Sequence, residues 1–428
     1  MRALVFERNV ARFAAARLAA SLGSGRGAAV GPLRLVDTEA PDLPGPEWRR
    51  VRPLLSGICG SDLATLDGRS SRYFEHLVSF PFVPGHEVVG IVEGAGTAHD
   101  GPAPGDRVVI EPVLACAARA IVPPCAACAA GRTGDCEHVA FGHLRPGLQT
   151  GYCADTGGGW SAAGLVAHPS QLHRVPDHLD DRAAVIVEPV ACAVHAALDA
   201  GTREGDTVAV LGAGTLGLAV TAALSHLAAT GRSPVPSTVL VGARYTHQRR
   251  LAAELGAADA VSPDQLSRAV RRRSRSLAIG RPSLGGQPLT GGADVVVDCV
   301  GSAASIAQCL EIVRPRGRVV LVGMPGKVHV DLAPLWHREV ALAGTYAYGA
   351  EHLPGGEVAR TFDLAMEVVA AKGLGRLVSA TYPIERFEEA VAHAGAAGRR
   401  GAVKIAFDLR HTERRRPGTA TTTGTATT

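Results

Sequence analysis

Aromatic residues are scarce in this 428-residue chain, 4 % of the total with three tryptophans. That scarcity argues against a surface that stacks nucleic-acid bases. Excess charge is also lacking: the formal net charge is +4 and the basic residues are scattered. The chain therefore carries no general basic face for a phosphate backbone or an anionic membrane. No run approaches the roughly 18 consecutive apolar residues of a spanning helix. The opening MRALVF meets Glu7 and Arg8 at once, without the continuous apolar centre of a secretory leader. Nine cysteines in that context point to a reducing, cytoplasmic setting, where thiols bind metal or stay free. What is present is an ordinary globular balance of 46 % hydrophobic and 20 % charged residues, at a length suited to two domains.

The most informative stretch runs from Gly205 to Asp259 and reads as one βαβ unit. TVAVL (207–211) is a short buried-strand pattern, and Gly212, Gly214 and Gly217 follow in GxGxxG spacing, with Thr215 and Leu216 opening an alanine-rich helix. The glycines allow a tight turn, close approach of a pyrophosphate and close helix packing, while the helix N-terminus offers free N–H groups to phosphate. The second strand, TVLV (238–241), is expected to end beside the adenosine ribose. Residues 236–247 contain no Asp or Glu for a 2′-hydroxyl, and Arg244 stands there instead, with Arg249 nearby. Planar guanidinium donors suit a 2′-phosphate, so NADP is expected, with NAD as the alternative.

Three clusters upstream have metal-binding chemistry. LSGICGSD holds Cys59, Ser61 and Asp62, PGHEVVG holds His86 and Glu87, and VIVEPVACAVHA places Glu188 inside an apolar run. A buried carboxylate is costly unless paired or metal-bound. Cys59, His86 and either Glu188 or Glu87 would hold Zn²⁺ and leave one position open, as a catalytic zinc requires. Cys192 and His195 could compete, though on an apolar helix they read as core residues. Between these clusters Cys125, Cys128 and Cys136 make C-x2-C-x7-C, preceded by Cys116. Four thiolates would close a second, structural zinc site, with His138 and Cys153 as substitutes.

With these parts in place the chain resembles the zinc-dependent medium-chain dehydrogenase/reductase family, in its sorbitol, threonine and glucose dehydrogenase branch. The carriers are GICGSD, PGHEVVG, the cysteine lobe, VEP, GAGTLG, GADVVVDCVG and RPRGRVVLVG, in the family's order. The resemblance implies an α/β chain: a Rossmann doubly wound parallel sheet plus a GroES-like, mainly-β catalytic domain, with the site between them. It implies zinc ligands at Cys59, His86 and Glu188, and an exchangeable acid at Glu87. Asp62 would orient the histidine and Ser61 would relay the substrate proton. Three departures stand out: C-x8-C at Cys116, no ribose acid, and Ala64 where relatives often carry a proton-passing histidine.

The expected domains are 1–190 catalytic, with a lobe at about 111–140, 191–336 dinucleotide-binding, 337–410 returning to the catalytic unit, and a disordered, low-complexity tail at 411–428. An insertion at 11–30 is expected to form a short amphipathic helix with Phe13, Ala16, Leu18 and Leu22 on one side. The arginine-rich insertion near 265–290 is read as a solvated face. The implied function is hydride transfer between an alcohol (polyol, sugar or amino alcohol) and NAD(P), in a homo-oligomer, dimer or tetramer, without nucleic-acid or membrane partners. The alternatives are a zinc-free quinone or enoyl reductase of the same superfamily, or a non-catalytic dinucleotide- or nucleic-acid-binding protein.

Overall fold

Two sheets organise the protein, whose computed structural model describes residues 1–95, 101–280 and 287–410; the expected tail at 411–428 lies outside them. An antiparallel pair opens the chain, β1 (Arg2–Phe6) with β2 (Leu33–Asp37), and α1 (Val10–Ala20) sits between them. Then come β3 (Arg49–Gly57), α2 (Gly60–Leu66), β4 (Val88–Ala95), β5 (Arg107–Ile110), the short α3 (Ala126–Ala129), β6 (Leu165–Ala167) and β7 (Leu172–Arg174). Alternating burial along β3 reflects the period-2 geometry of a strand with one face inward. Helices α4 (Asp181–Val185) and α5 (Val187–Asp199) lead into the second sheet.

That second sheet is parallel, because each strand returns through a helix. Its parts are β8 (Thr207–Leu211), α6 (Thr215–Ala229), β9 (Thr238–Gly242), α7 (Thr246–Leu255), β10 (Asp259–Val261) and α8 (Pro263–Ser274), then β11 (Ala293–Asp298), α9 (Ala303–Ile312), β12 (Val313–Leu321), α10 (Ala333–His337) and β13 (Ala341–Gly344). The spatial order is β10-β9-β8-β11-β12-β13, so the strand order reverses between β8 and β11, where open parallel sheets bind ligands. β8 and β9 are buried along their whole length, as strands covered on both faces must be.

The chain then returns to the first sheet. A small hairpin, β14 (Ala350–His352) and β15 (Val358–Arg360), precedes α11 (Thr361–Lys372), β16 (Val378–Pro383), α12 (Phe387–Gly395) and β17 (Lys404–Asp408). β17 pairs antiparallel with β3 through Phe407↔Ser56 and its neighbours, completing the order β16-β17-β3-β4-β5-β7, with β6 also on β3. Residues more than 340 positions apart therefore share one sheet. No helix among the described residues is long and apolar enough to cross a membrane.

The insertion forms a helix, and that helix lies at the surface. Only Ala16 of α1 is buried, while Leu18 and Leu22 are 75 % and 74 % exposed. The element is held by its turn instead: buried Asp67 accepts hydrogen bonds from the backbone N–H groups of Gly25 and Gly27 and from Ser24 Oγ, all at 3.0–3.2 Å. A carboxylate fed by several donors is satisfied without a packed helix face. Trp160 is a core residue, fully buried, edge-on to Phe407 and donating from Nε1 to the Gly57 carbonyl at 3.2 Å.

Candidate active site and metal centres

Cys59 ends the extended segment after β3 and caps α2; its N–H donates to Asp62 Oδ2 at 2.9 Å. His86 and Glu87 lie just before β4, so the antiparallel pairing of β3 with β4 brings both clusters to one end of the sheet. The ligand atoms of Cys59, His86 and Glu87 all lie within 4.8 Å of one another. Glu87 fits against β3 because residue 57 is glycine: a Cβ there would meet Glu87 Oε2 at 1.9 Å. Asp62 Oδ1 stands 3.5 Å from His86 Nδ1, within ion-pair reach, and that buried nitrogen has no hydrogen-bond partner among the described residues.

Glu188 does not join that tight group. It opens α5, where Tyr348 Oη donates to its Oε1 at 3.1 Å and Cys192 Sγ lies 3.8 Å from the same oxygen. Burial pushes its carboxyl up to about 7, against the pull of the His86 charge and with Glu87 adding to the rise. It therefore lies close enough to His86 and Glu87 to feel their charges, outside the tight group they form with Cys59. His195, the other histidine candidate, points away and pairs with Glu351 at 2.8 Å.

One residue that sequence reasoning missed completes the cluster's charge. Lys404 of β17 places Nζ 2.5 and 2.6 Å from the two Glu87 oxygens and 3.3 Å from the Ile58 carbonyl, with both side chains buried. Burial would lower the lysine's pKa, but the charges of Glu87 and Cys59 outweigh it and raise it. A lone lysine in the apolar run AVKIAF was a readable signal, since a buried ammonium needs a buried acid. The donor set of thiol, imidazole and carboxylate, enclosed and charge-balanced, fits Zn²⁺.

The four lobe cysteines, Cys116, Cys125, Cys128 and Cys136, also converge within 4.8 Å. The longer C-x8-C loop doubles back: the N–H of Cys125 donates to Cys116 Sγ at 3.4 Å, and His138 Nδ1 sits 3.2 Å from that sulfur. Burial opposes ionisation of Cys125, yet N–H groups of Cys128 and Glu137 aimed at the sulfur bring it down to about 6. Buried Arg119 anchors the loop by donating to the carbonyls of Leu114, Phe141 and Gly147 at 2.7–2.9 Å. Four soft donors in this arrangement also fit Zn²⁺. Cys153 faces the Arg145 carbonyl and stands apart.

At the glycine turn, a Cβ on Gly217 would lie 1.8 Å from the Gly212 carbonyl oxygen, so α6 can approach β8 only with glycine there. Nothing lies within 4 Å of where a Cβ of Gly214 would be, leaving the helix N-terminus open to a ligand. Thr215 Oγ1 reaches the Val403 carbonyl at 3.4 Å, and Leu216 packs beside the core. Arg244 is exposed past the end of β9, whereas Arg249 folds back onto the carbonyls of Ala243 and Arg244 at 3.0 and 3.1 Å. The glycine turn and the metal cluster meet at adjacent residues: Val403 receives Thr215, and Lys404 holds Glu87.

Comparison with known proteins agrees with this arrangement. Residues 45–177 match the alcohol dehydrogenase GroES-like domain, and residues 235–363 match the zinc-binding dehydrogenase domain. The human sorbitol dehydrogenase is 28 % identical over 368 residues, 84 % of this chain and 89 % of that protein. The Vitis vinifera L-idonate 5-dehydrogenase is 28 % identical, covering 85 % and 89 %. The structure of a candidate zinc-binding dehydrogenase from Sinorhizobium meliloti 1021, bound to NADP, superposes with a TM-score of 0.64 at 28 % identity, covering 88 % of this chain and 95 % of that one. Galactitol-1-phosphate dehydrogenase from Escherichia coli shares the fold, with a TM-score of 0.67 at 20 % identity and coverage of 95 % and 100 %. With both domain matches on one chain and the thiol, imidazole and carboxylate group set against a dinucleotide turn, this protein belongs to the zinc-dependent medium-chain dehydrogenase/reductase family.

Proposed function

We propose that the chain reversibly oxidises a polyol, sugar or amino alcohol to its carbonyl, using NADP, at the site formed by Cys59, His86, Glu87 and Glu188. The observation that carries this reading is the adjacency at Val403 and Lys404, which ties the dinucleotide helix to the metal cluster. Zinc held by Cys59, His86 and Glu87, with Glu188 facing it, would supply Lewis-acid chemistry at the alcohol oxygen. The protein's own groups do the rest. Ser61, half-buried on the first turn of α2, takes up the hydroxyl proton, Asp62 holds His86 in orientation, and the turn at Gly212–Gly217 presents the cofactor across the cleft. A carboxylate-bearing site fits the relatives named for sorbitol, L-idonate and L-threonine.

NADP is favoured by exposed Arg244 and by a second basic segment. Gly398 packs so closely on Tyr245 that a Cβ would lie 2.3 Å from its ring, which brings the exposed Arg399 and Arg400 toward the same end of β9. The four-cysteine lobe is read as a structural zinc site. A homo-oligomer is read from β13, the last strand of its sheet, whose side chains are mostly exposed, with Trp336 beside it 81 % exposed. Nine free cysteines fit a cytoplasmic setting.

The test is a panel of polyols, sugars and amino alcohols with zinc-loaded protein and both cofactors. Turnover is expected with NADP. Arg244→Ala should weaken NADPH binding about 10- to 100-fold, the worth of one charge-assisted phosphate contact of about 1.5–3 kcal/mol, and leave NADH binding unchanged. Equal losses for the two cofactors would remove the NADP assignment.

A further inference from the structure

Each alcohol oxidised at an enclosed site releases one proton along with the hydride, and that proton must leave. Residue 64 of α2 is alanine and carries no group to take it. Next to it, however, three hydroxyl groups form a line that the dehydrogenase reading does not use. Tyr152 is buried; its Oη donates to Asp62 Oδ1 at 3.3 Å and shares a second contact, of either direction, with Thr65 Oγ1 at 3.4 Å. Thr65 Oγ1 is 3.0 Å from Ser70 Oγ, and Ser70 is half-buried, beside exposed Arg69. At the inner end, Ser61 stands one helical turn before Thr65 on α2, so the two hydroxyl side chains lie on one face of that helix. One bond to Asp62 would satisfy a structural tyrosine; the continuation through Thr65 to Ser70 is surplus to that need.

The backbone holds this line in place. After α2 the chain folds back so that the N–H groups of Arg69 and Ser70 both donate to the Ala64 carbonyl, at 2.7 and 3.2 Å. This sets Ser70 over Thr65. Asp67 pins the same turn, accepting from Arg69 at 2.7 Å and from the inserted segment at Ser24, Gly25 and Gly27. At the outer end the turn comes close to the dinucleotide-binding half, where a Cβ on Gly326 would lie 3.4 Å from the Arg69 carbonyl oxygen.

We propose that Tyr152, Thr65 and Ser70 form a hydroxyl chain that carries the substrate proton from Ser61 to solvent. The alcohol proton passes to Ser61 Oγ, and each hydroxyl hands on its own proton as it receives one, the last going from Ser70 to water. The electron pair leaves with the hydride for NAD(P)⁺, so the products are the carbonyl compound, reduced cofactor and one released proton. No side chain in the line changes charge. Hydrogen bonds of 3.4 Å are long at rest, and such contacts tighten in the substrate complex.

This inference rests on the dehydrogenase reading, and the test separates the two. Zinc-loaded wild type, Thr65→Val, Thr65→Ser and Ser70→Ala are compared for kcat, KM, solvent deuterium isotope effect and bound zinc. Thr65→Val, which keeps shape and loses the hydroxyl, should lower kcat for alcohol oxidation at least about tenfold, within the range for positioned proton transfer. KM and zinc content should stay unchanged and the solvent isotope effect should grow. Ser70→Ala should behave alike, and Thr65→Ser or added imidazole should restore the rate. A Thr65→Val enzyme with wild-type kcat and isotope effect overturns the relay, as does one that loses zinc, which would mark Thr65 as structural. Wild-type protein that turns over no substrate in the panel fails the dehydrogenase reading first.

Discussion

Replacing Lys404 by methionine removes the ammonium that faces both oxygens of Glu87 at 2.5 and 2.6 Å in a fully enclosed place. Methionine roughly preserves the volume, so the loss is electrostatic. Removing one member of a buried ion pair costs about 3–5 kcal/mol, because the remaining charge is left in low dielectric without a partner. Here Cys59 and Glu188 crowd the same space, which places the expectation at the upper end. The cost should depend on metal. In chelator-treated protein the full amount should appear, whereas zinc offsets the Glu87 charge and should reduce the cost to about half or less. Adding Glu87→Gln to Lys404→Met in metal-free protein should recover all but about 1–2 kcal/mol, since the uncompensated charge is then gone. Denaturation followed by tryptophan emission suits the question. Trp48 and Trp160 are both buried in the half that carries the metal cluster, and Trp160 packs on Phe407 of the same strand as Lys404. A metal-free Lys404→Met protein within about 1 kcal/mol of wild type, or a double variant no more stable than the sum of the single losses, would refute this account.

Two further outcomes follow from the lobe and from the buried charges around it. Cys116→Ser should lower zinc content from two ions per chain to one and loosen the 116–136 loop, measured by metal analysis and limited proteolysis; two retained ions would show that His138 or another donor completes the site. Glu111 is buried, and burial alone would raise its pKa, but His173 at 2.9 Å and the Arg360 guanidinium outweigh this and hold it below the usual carboxylate range. A depressed folded value means the stability is present above the unfolded carboxylate pKa, about 4.3, and is lost as pH falls through the folded value. Glu111→Gln should therefore lower thermal stability at pH 7 and flatten its fall under acid, and an unchanged acid limb would refute the assignment.

The strand, turn and helix at 207–229 were legible because their cause is local. An apolar run, three glycines and an alanine-rich helix dictate that conformation whatever surrounds them. The metal donors were legible as residue types, since cysteine, histidine and a carboxylate set in an apolar run have few other uses. Their grouping was less so: the ligand atoms of Cys59, His86 and Glu87 lie within 4.8 Å of one another, while Glu188 accepts from Tyr348, which arrives from the end of the second sheet. A short helix at the start of the 11–30 insertion was legible from its composition, but its anchor was not, since Asp67 holds the following turn from a distance.

Sequence alone determined that this chain binds a dinucleotide, carries two sets of metal donors and resembles one dehydrogenase family, because each of those signals is written within about thirty residues. The tertiary structure alone decided that Lys404 neutralises Glu87, that Cys116 reaches the other three thiols despite its longer loop, and that Tyr152 meets Thr65. The physical reason is separation along the chain: these pairs are joined by strand pairing and loop return, and hydrogen-bonding geometry at 2.5–3.5 Å is set by the packed backbone rather than by residue order.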